Sequence, residues 1–360
     1  MGVKLKDLVI AKNCDLAKLK GKVIAIDAPN IIMNLLGFSY KNNPNESLMT
    51  DRTQRAISHL YGLLYRVIFY YSKRIYPIFC FDGRVSPLKR LITKDQLNDF
   101  LVVKKWYRQA IEEGNKARAR QIALGKEFFW RNTIHESKKL LVAMGVPFIE
   151  SPSAAEAQCA YLVKQGIADY ANSQDYDSLL FGCPRTLQNL SKSLRKKIRG
   201  RWTYQKIIPK TINLSSNLNS LQIDQFQLVD LAILIGTDYF EGIKQIGPKT
   251  SLKLIRKYRK IETIRRNEKQ NYDFSKLTID LLQQIRKIFL FPEVLTKFPE
   301  ISWHYPNKDQ IMALLCSDHH LSKERVGNNS DKLLLQYKKA RKHFVSQRNK
   351  PKFVQTRLPI

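Results

Sequence analysis

Two short, uninterrupted apolar runs that end on an acid mark the first quarter of the chain: KVIAIDA at 22–28 and IYPIFCFDG at 75–83. Runs of this kind fit strands buried on both faces, as in a parallel sheet, with the last residue pointing into the crevice at the strand's carboxyl end. The segment between them, 53–74, has helical periodicity, and strand, helix, strand predicts an α/β fold. Residues 84–139 break the pattern. They carry 14 Lys/Arg against 6 Asp/Glu, with Leu91, Leu97, Phe100, Val103, Trp106 and Tyr107 interleaved. This predicts a helical excursion out of the sheet, from which 141–149 returns. A helix is expected over 153–164, opened by Ser153 and Glu156 as a capping box. Another strand and turn follow over 167–182, carrying Asp175 and Asp177. Residues 191–210 hold 8 basic residues and no acid, which suggests an exposed basic hairpin. A helix over 225–236, a glycine-punctuated turn and further helix complete the pattern. The tail past Ser346 is expected to be flexible, and no internal repeat is evident.

Charge narrows the function. The 360 residues include 62 Lys+Arg and 31 Asp+Glu, a formal net charge of +31. Self-repulsion on that scale suits a polyanionic partner, and nucleic acid leads. A membrane surface is disfavoured, because neither a basic amphipathic helix nor a lipidation signal is present; Lys6 breaks the myristoylation pattern begun by Gly2. No apolar run reaches the roughly 18 residues that span a bilayer. The start lacks the features of a secretory signal. Five cysteines, at 14, 80, 159, 183 and 316, are scattered and show no paired spacing, which argues against a zinc site or a disulfide framework and for buried thiols in a reducing interior.

On so basic a chain the acids at element ends stand out: Asp27, Asp82, Asp175 and Asp177 at strand ends, Glu156 at a helix start, Asp238 just after a helix. Taken singly, each also reads as a turn former or a helix cap. Together, at the carboxyl ends of parallel strands, they would repel one another unless cations neutralised them. Oxygen donors favour Mg²⁺ or Mn²⁺ over Zn²⁺, and two such ions can activate a water and stabilise the leaving oxygen of a phosphodiester. The turn GIKQIGPKT at 242–250 is no Walker A loop, since Pro248 occupies the lysine's place. It fits a helix–hairpin–helix, in which Gly242 and Gly247 let backbone N–H groups approach a DNA phosphate and Lys249 and Thr250 add contacts.

These segments resemble the flap endonuclease family. MGVK at the start, IDAPN at 26–30, SHLYGLLYR at 58–66, FCFDG at 79–83, PSAAEAQCAYLVKQG at 152–166, SQDYDSLLFG at 173–182 and ILIGTDY…GIKQIGPKT at 233–250 occur in that family's order and spacing. The resemblance implies a mixed, mainly parallel sheet flanked by helices. It implies an N-terminal nuclease region over 1–100, a helical arch or cap over 101–140 within the 84–139 excursion, and an internal nuclease region with the hairpin over 141–257. A C-terminal helical DNA-binding region over 258–345 and a tail over 346–360 complete the layout. The implied activity is removal of 5′ flaps, with 5′-exonuclease action, in replication and repair. Asp27, Asp82 and Glu156 would serve one metal ion; Asp175, Asp177 and Asp238 would serve a second, and K⁺ would assist the hairpin. Lys89 matches the arch lysine at the scissile phosphate, with Arg90 close by. Gly2, Arg66, Gly236 and Arg325 match DNA contacts.

The sequence also departs from the family pattern. The helix start S-E-A-E is here Ser153-Ala154-Ala155-Glu156, so one of seven acidic positions is Ala154. Gln96 replaces an arch arginine, Met33 a stacking aromatic and Tyr40 a basic DNA contact. The clamp-binding ending lacks its aromatics, so binding to a sliding clamp is an open expectation. The overall reading is an active but slowed or retuned enzyme, monomeric and archaeal-like, working in the cytoplasm or nucleoid, or in the nucleus if eukaryotic. Two other readings are a DNA-binding scaffold without chemistry and a sequence-specific helix-turn-helix regulator. Within the nucleases, a Holliday-junction resolver also fits.

Overall fold

The strands follow from the apolar runs. In chain order they are β1 (Lys12–Asn13), β2 (Val23–Asp27), β3 (Tyr76–Phe81), β4 (Phe148–Glu150), β5 (Tyr170–Asn172), β6 (Arg185–Gln188), β7 (Leu194–Ile198), β8 (Arg201–Gln205) and β9 (Lys210–Asn213). The computed structural model describes residues 3–42, 50–53, 55–83, 106, 108–123, 126–190, 194–198, 201–205 and 208–348. Gly2, the segment with Lys89, Arg90, Lys94 and Gln96, and the tail from 349 lie outside the described residues.

Seven strands form one sheet in the order β1-β9-β6-β5-β2-β3-β4. The pairs β2–β3, β2–β5, β3–β4 and β5–β6 are parallel; β6–β9 and β1–β9 are antiparallel. The basic segment after β6 does form a hairpin, β7 with β8, outside this sheet. From β2 the chain adds β3 and β4 on one side, then β5 and β6 on the other. The order reverses between β2 and β5, and parallel α/β sheets bind ligands in the crevice at such a switch point.

Successive side chains on a strand point to opposite faces, and the two faces differ. Ile24, Ile26, Phe79 and Phe81 enter one core with the helices Ala28–Asn42, Ser58–Ser72, Lys126–Ala143 and Lys323–Arg348. Each fully buried side chain of this size contributes about 1.5–3 kcal/mol. The other face offers the small residues Ala25, Cys80 and Ala171. Against them lies the helix Ala155–Lys164, itself rich in buried small residues: Ala155, Ala157, Cys159 and Ala160. Small side chains on both surfaces let this helix pack directly on β2, β3 and β5. The helices Gln225–Ile235, Pro248–Tyr258 and Ile279–Leu290 complete that layer.

Two expected boundaries change. The helix Lys126–Ala143 buries Thr133, Glu136, Ser137, Leu140 and Leu141, so its second half belongs to the core rather than to a cap ending at 140. In the C-terminal region, Ile279–Leu290 joins one core and Lys323–Arg348 the other. That last helix also carries the ordered chain past Ser346. All five cysteines are free and buried. No described helix is long and apolar enough to cross a membrane.

Candidate active site

β2 runs straight into the helix Ala28–Asn42, which leaves Asp27 at the junction, 4% exposed. There it accepts the backbone N–H of Asn30 at 3.2 Å, as a helix-capping carboxylate does. Asp82 follows the end of β3. Its Oδ1 accepts the N–H of Ala155 at 2.8 Å. The expected capping box is therefore absent. The cap position is Ala154, which offers no side-chain bond, and Ser153 donates its hydroxyl to the Glu293 carbonyl at 2.8 Å instead. A carboxylate from a neighbouring strand end has taken over the capping role, and it ties β3 to the helix that bears Glu156. Asp175 lies three residues beyond β5 and accepts from the Asn30 side-chain amide at 2.9 Å. Asp177 opens the short helix Asp177–Leu180 and accepts the N–H of Val3 at 2.8 Å.

Ser173 connects the acids. Its Oγ lies 2.9 Å from Asp27 Oδ2 and 3.0 Å from Glu156 Oε1. A hydroxyl has one proton to donate, so it satisfies only one of two carboxylates at a time. The electrostatics show the strain of this arrangement. Burial, then the charge of Asp82, push the Asp27 carboxyl up to about 7. Burial, then the charge of Asp177, push Glu156 well above the usual carboxylate range. Burial raises Asp177 to about 6 against the lowering bond from Val3, and Asp238 adds to the rise. The structure thus brings all six acids into one electrostatic neighbourhood. Glu156 feels Asp177 more strongly than Asp27, so it stands between the two expected sets of three. Asn30 and Ser173 were not foreseen. The signal was there, since Asn30 lies three residues after Asp27 and Ser173 two before Asp175.

The donor set suits hard divalent cations: buried, mutually repelling carboxylate oxygens, with no sulfur or imidazole among them. Among the described residues, no group of three or more His, Cys, Asp or Glu is arranged to hold a metal ion as it stands. The carboxylates instead bond to backbone N–H groups, Ser173 and Asn30.

In the turn after Ile235, two glycines are required by the backbone. Gly236 has φ +120° and Gly242 φ +88°; a Cβ on Gly242 would stand 2.3 Å from the Ile235 carbonyl, and one on Gly236 2.7 Å from that of Glu241. These two glycines close the turn on itself. Gly247, the cap of the helix Pro248–Tyr258, has open space where its Cβ would be. Beyond it, Lys249, Lys253, Arg256 and Lys257 line a shallow open depression of about 430 Å³ with Leu252. Lys249 is exposed and Thr250 half-buried. Arg66 is half-buried and donates to the Leu190 carbonyl at 2.5 Å, and Arg325 is exposed at the start of the last helix. Met33 is 56% exposed, an apolar surface close to the site by its helix position.

Residues 1–97 match the family described as the XPG N-terminal domain, and residues 145–238 match the XPG I-region. A flap endonuclease 1 of Caldivirga maquilingensis is 39% identical over 327 residues, covering 90% of this chain and 91% of that protein. A solved flap endonuclease-1 from Methanococcus jannaschii aligns with a TM-score of 0.69 at 27% identity, covering 94% of this chain and 99% of the other. The catalytic core of Rad2, in complex with DNA substrate, shares the fold with a TM-score of 0.61 at 22% identity over 90% of this chain and 94% of that one.

Proposed function

The chain belongs to the flap endonuclease family and is a structure-specific nuclease that hydrolyses DNA phosphodiesters, and we propose that it cuts 5′ flaps and 5′ ends with the six carboxylates as holders of two Mg²⁺ or Mn²⁺ ions. The observation that supports this reading is the mutual electrostatic influence of Asp27, Asp82, Glu156, Asp175, Asp177 and Asp238, with Asp27, Asp82 and Asp175 at or just beyond the ends of β2, β3 and β5, on a chain of net charge +31. Ions bound there would polarise the phosphodiester and lower the pKa of the attacking water.

The protein's own groups supply the rest. Asp82 and Asp27 fix two helix starts while presenting their carboxylates to the site. Ser173 and Asn30 orient Asp27, Glu156 and Asp175. The Gly247 amide and the lysines of Pro248–Tyr258 hold duplex phosphates away from the chemistry, and such contacts are salt-sensitive and sequence-independent. Arg66 and Arg325 grip the DNA at the opposite core layer, and Gly2 is a further DNA contact. Lys89, with Arg90 beside it, steadies the scissile phosphate, and K⁺ supports the hairpin. The substrate is branched DNA and the enzyme works as a monomer, in an archaeal cytoplasm or nucleoid or a eukaryotic nucleus; a sliding clamp is a second partner to test.

The deciding experiment offers labelled flap, nicked and four-way junction DNA to the protein with Mg²⁺, with Mn²⁺ and with chelator. The flap is expected to be cut near its base in either metal and left intact with chelator. Lys89→Ala should slow the saturated rate more than it weakens binding. No cleavage of any branched substrate in either metal would overturn the reading.

A further inference from the structure

Away from the carboxylate site, a second buried cluster of charge joins the elements that carry the DNA-gripping arginines. It contains Asp51 and Arg55 from the segment before the helix Ser58–Ser72, His59 from that helix, Glu136 from Lys126–Ala143, and Asp318 and His319 from the turn before Lys323–Arg348. Four of these are buried: His59 at 0% exposure, His319 at 1%, Glu136 at 4% and Asp51 at 7%.

The surrounding charges favour a protonated His319. His319 Nδ1 lies 2.9 Å from Asp51 Oδ2, and its Nε2 lies 3.2 Å from Glu136 Oε1. Both partners are acceptors. The Nδ1 contact is a hydrogen bond, whereas the Nε2 contact is an ion-pair approach without a hydrogen bond, so it is the carboxylate on each side of the ring that favours the imidazolium. Arg55 is the other cation, 2.9 Å from Asp51, 3.6 Å from Glu136 and 2.9 Å from Asp318. One guanidinium does not neutralise two buried carboxylates and Asp318 beside them, so the proton on His319 supplies the second positive charge. His59 stays out of this exchange. Burial and the neighbouring His319 charge hold it down to about 3, and neither of its ring nitrogens has a hydrogen-bond partner, though Nε2 is 3.6 Å from Glu136.

We propose that His319 is a positioning residue for substrate grip: as an imidazolium between Asp51 and Glu136 it fastens the segment leading to Arg66, the helix returning from the excursion and the start of the helix bearing Arg325, so that its deprotonation loosens the hold on DNA and leaves the chemistry intact. The proposal rests on the reading that Arg66 and Arg325 contact DNA.

The titration agrees in sign. Burial opposes the charge on His319, but the bonds to Asp51 and Glu136 outweigh it and carry the group up to about 9. Burial likewise opposes ionisation of Asp51, yet its bonds to His319, Thr53 and Arg55 bring it down to about 2. The His319 contribution is complete below the ordinary histidine value of about 6.5 and disappears as pH rises through about 9. The Asp51 contribution is complete above its ordinary value of 3.8 and disappears as pH falls toward about 2.

The test uses the full chain and a fluorescent 5′-flap duplex. Affinity is measured in Ca²⁺ from about pH 7 to 10, and single-turnover cleavage in Mg²⁺ at saturating enzyme, for wild type and His319→Gln. Wild-type affinity should weaken about tenfold across this range, while His319→Gln is weak throughout and nearly flat, with a saturated rate within about twofold of wild type at neutral pH. Superimposed affinity profiles, or a saturated rate that falls in step with affinity, would overturn the proposal. If the variant does not fold, amide exchange in the wild type decides: residues 51–60, 133–140 and 315–322 should lose protection together near pH 9, and unchanged protection overturns the idea. Absence of wild-type cleavage at saturation would instead count against the nuclease reading.

Discussion

The Asp82 carboxylate accepts the backbone N–H of Ala155 at 2.8 Å, so one side chain both closes a helix start and belongs to the acidic site. Removing it should therefore have two separable effects. Asp82→Ala is expected to abolish cleavage and to cost roughly 0.5–2 kcal/mol of stability, the usual worth of a helix cap. Asp82→Ser should restore most of the stability and none of the cleavage. Chemical denaturation and a flap-cutting assay read the two effects; equal stability of the two variants would refute the shared role.

Metal and protons should compete. Asp27, held at about 7, and Asp177, at about 6, bind protons in the folded state well above their ordinary value of 3.8. The folded state therefore binds more protons than the unfolded one between these values, and metal-free stability falls as pH climbs from about 4 to about 7. Added Mg²⁺ should raise the melting temperature more at about pH 7.5 than at about pH 5, with proton release on binding. The same increment at both pH values would contradict this account.

The glycine turn separates folding from binding. Gly242→Ala puts a methyl 2.3 Å from a carbonyl at φ +88°, and should cost roughly 1–3 kcal/mol or more of stability. Gly247→Ala meets nothing within 4 Å, so stability should stay within about 0.5 kcal/mol while affinity for flap DNA falls. Thermal melts beside binding curves distinguish them, and a destabilised Gly247→Ala would count against the assignment.

On the face of Pro248–Tyr258, Lys249→Ala should weaken binding to every DNA sequence alike and reduce the slope of log affinity against log salt by about 1. Its rate at saturating DNA should not change. A salt titration of affinity checks this, and an unaltered slope places Lys249 off the DNA.

Ala154 is the cap of the helix bearing Glu156, at the position where the family resemblance implies a glutamate. Ala154→Glu adds an oxygen donor beside carboxylates that already repel one another. It should lower the Mg²⁺ concentration needed for half-maximal cleavage and raise the rate at limiting metal. An unchanged metal titration would show that the six acids suffice.

The fold was legible where physics acts locally. The runs at 22–28 and 75–83 became β2 and β3, because continuous apolar residues have no stable place except between two layers. The acids were legible for the same reason: charge at the end of a buried run is costly unless it has work to do. What escaped was decided by partners distant in the chain. Ser153 looks like a cap, yet its hydroxyl is claimed by Glu293 and its role by Asp82. That Gly236 and Gly242 are required by their own turn, where a Cβ would strike a carbonyl, is likewise seen only in the folded chain. The Asp51, Glu136 and His319 cluster joins residues 85 and 183 positions apart, with no motif to announce it.

Because strands are added outward from β2 in both directions, the acidic pocket draws on chain from Asp27 to Asp238 and is braced by Val3. An unfinished polypeptide on the ribosome lacks at least one wall of it until Asp238 has emerged. If the six acids act together, the capacity to cut arrives only after Asp238 has joined the others.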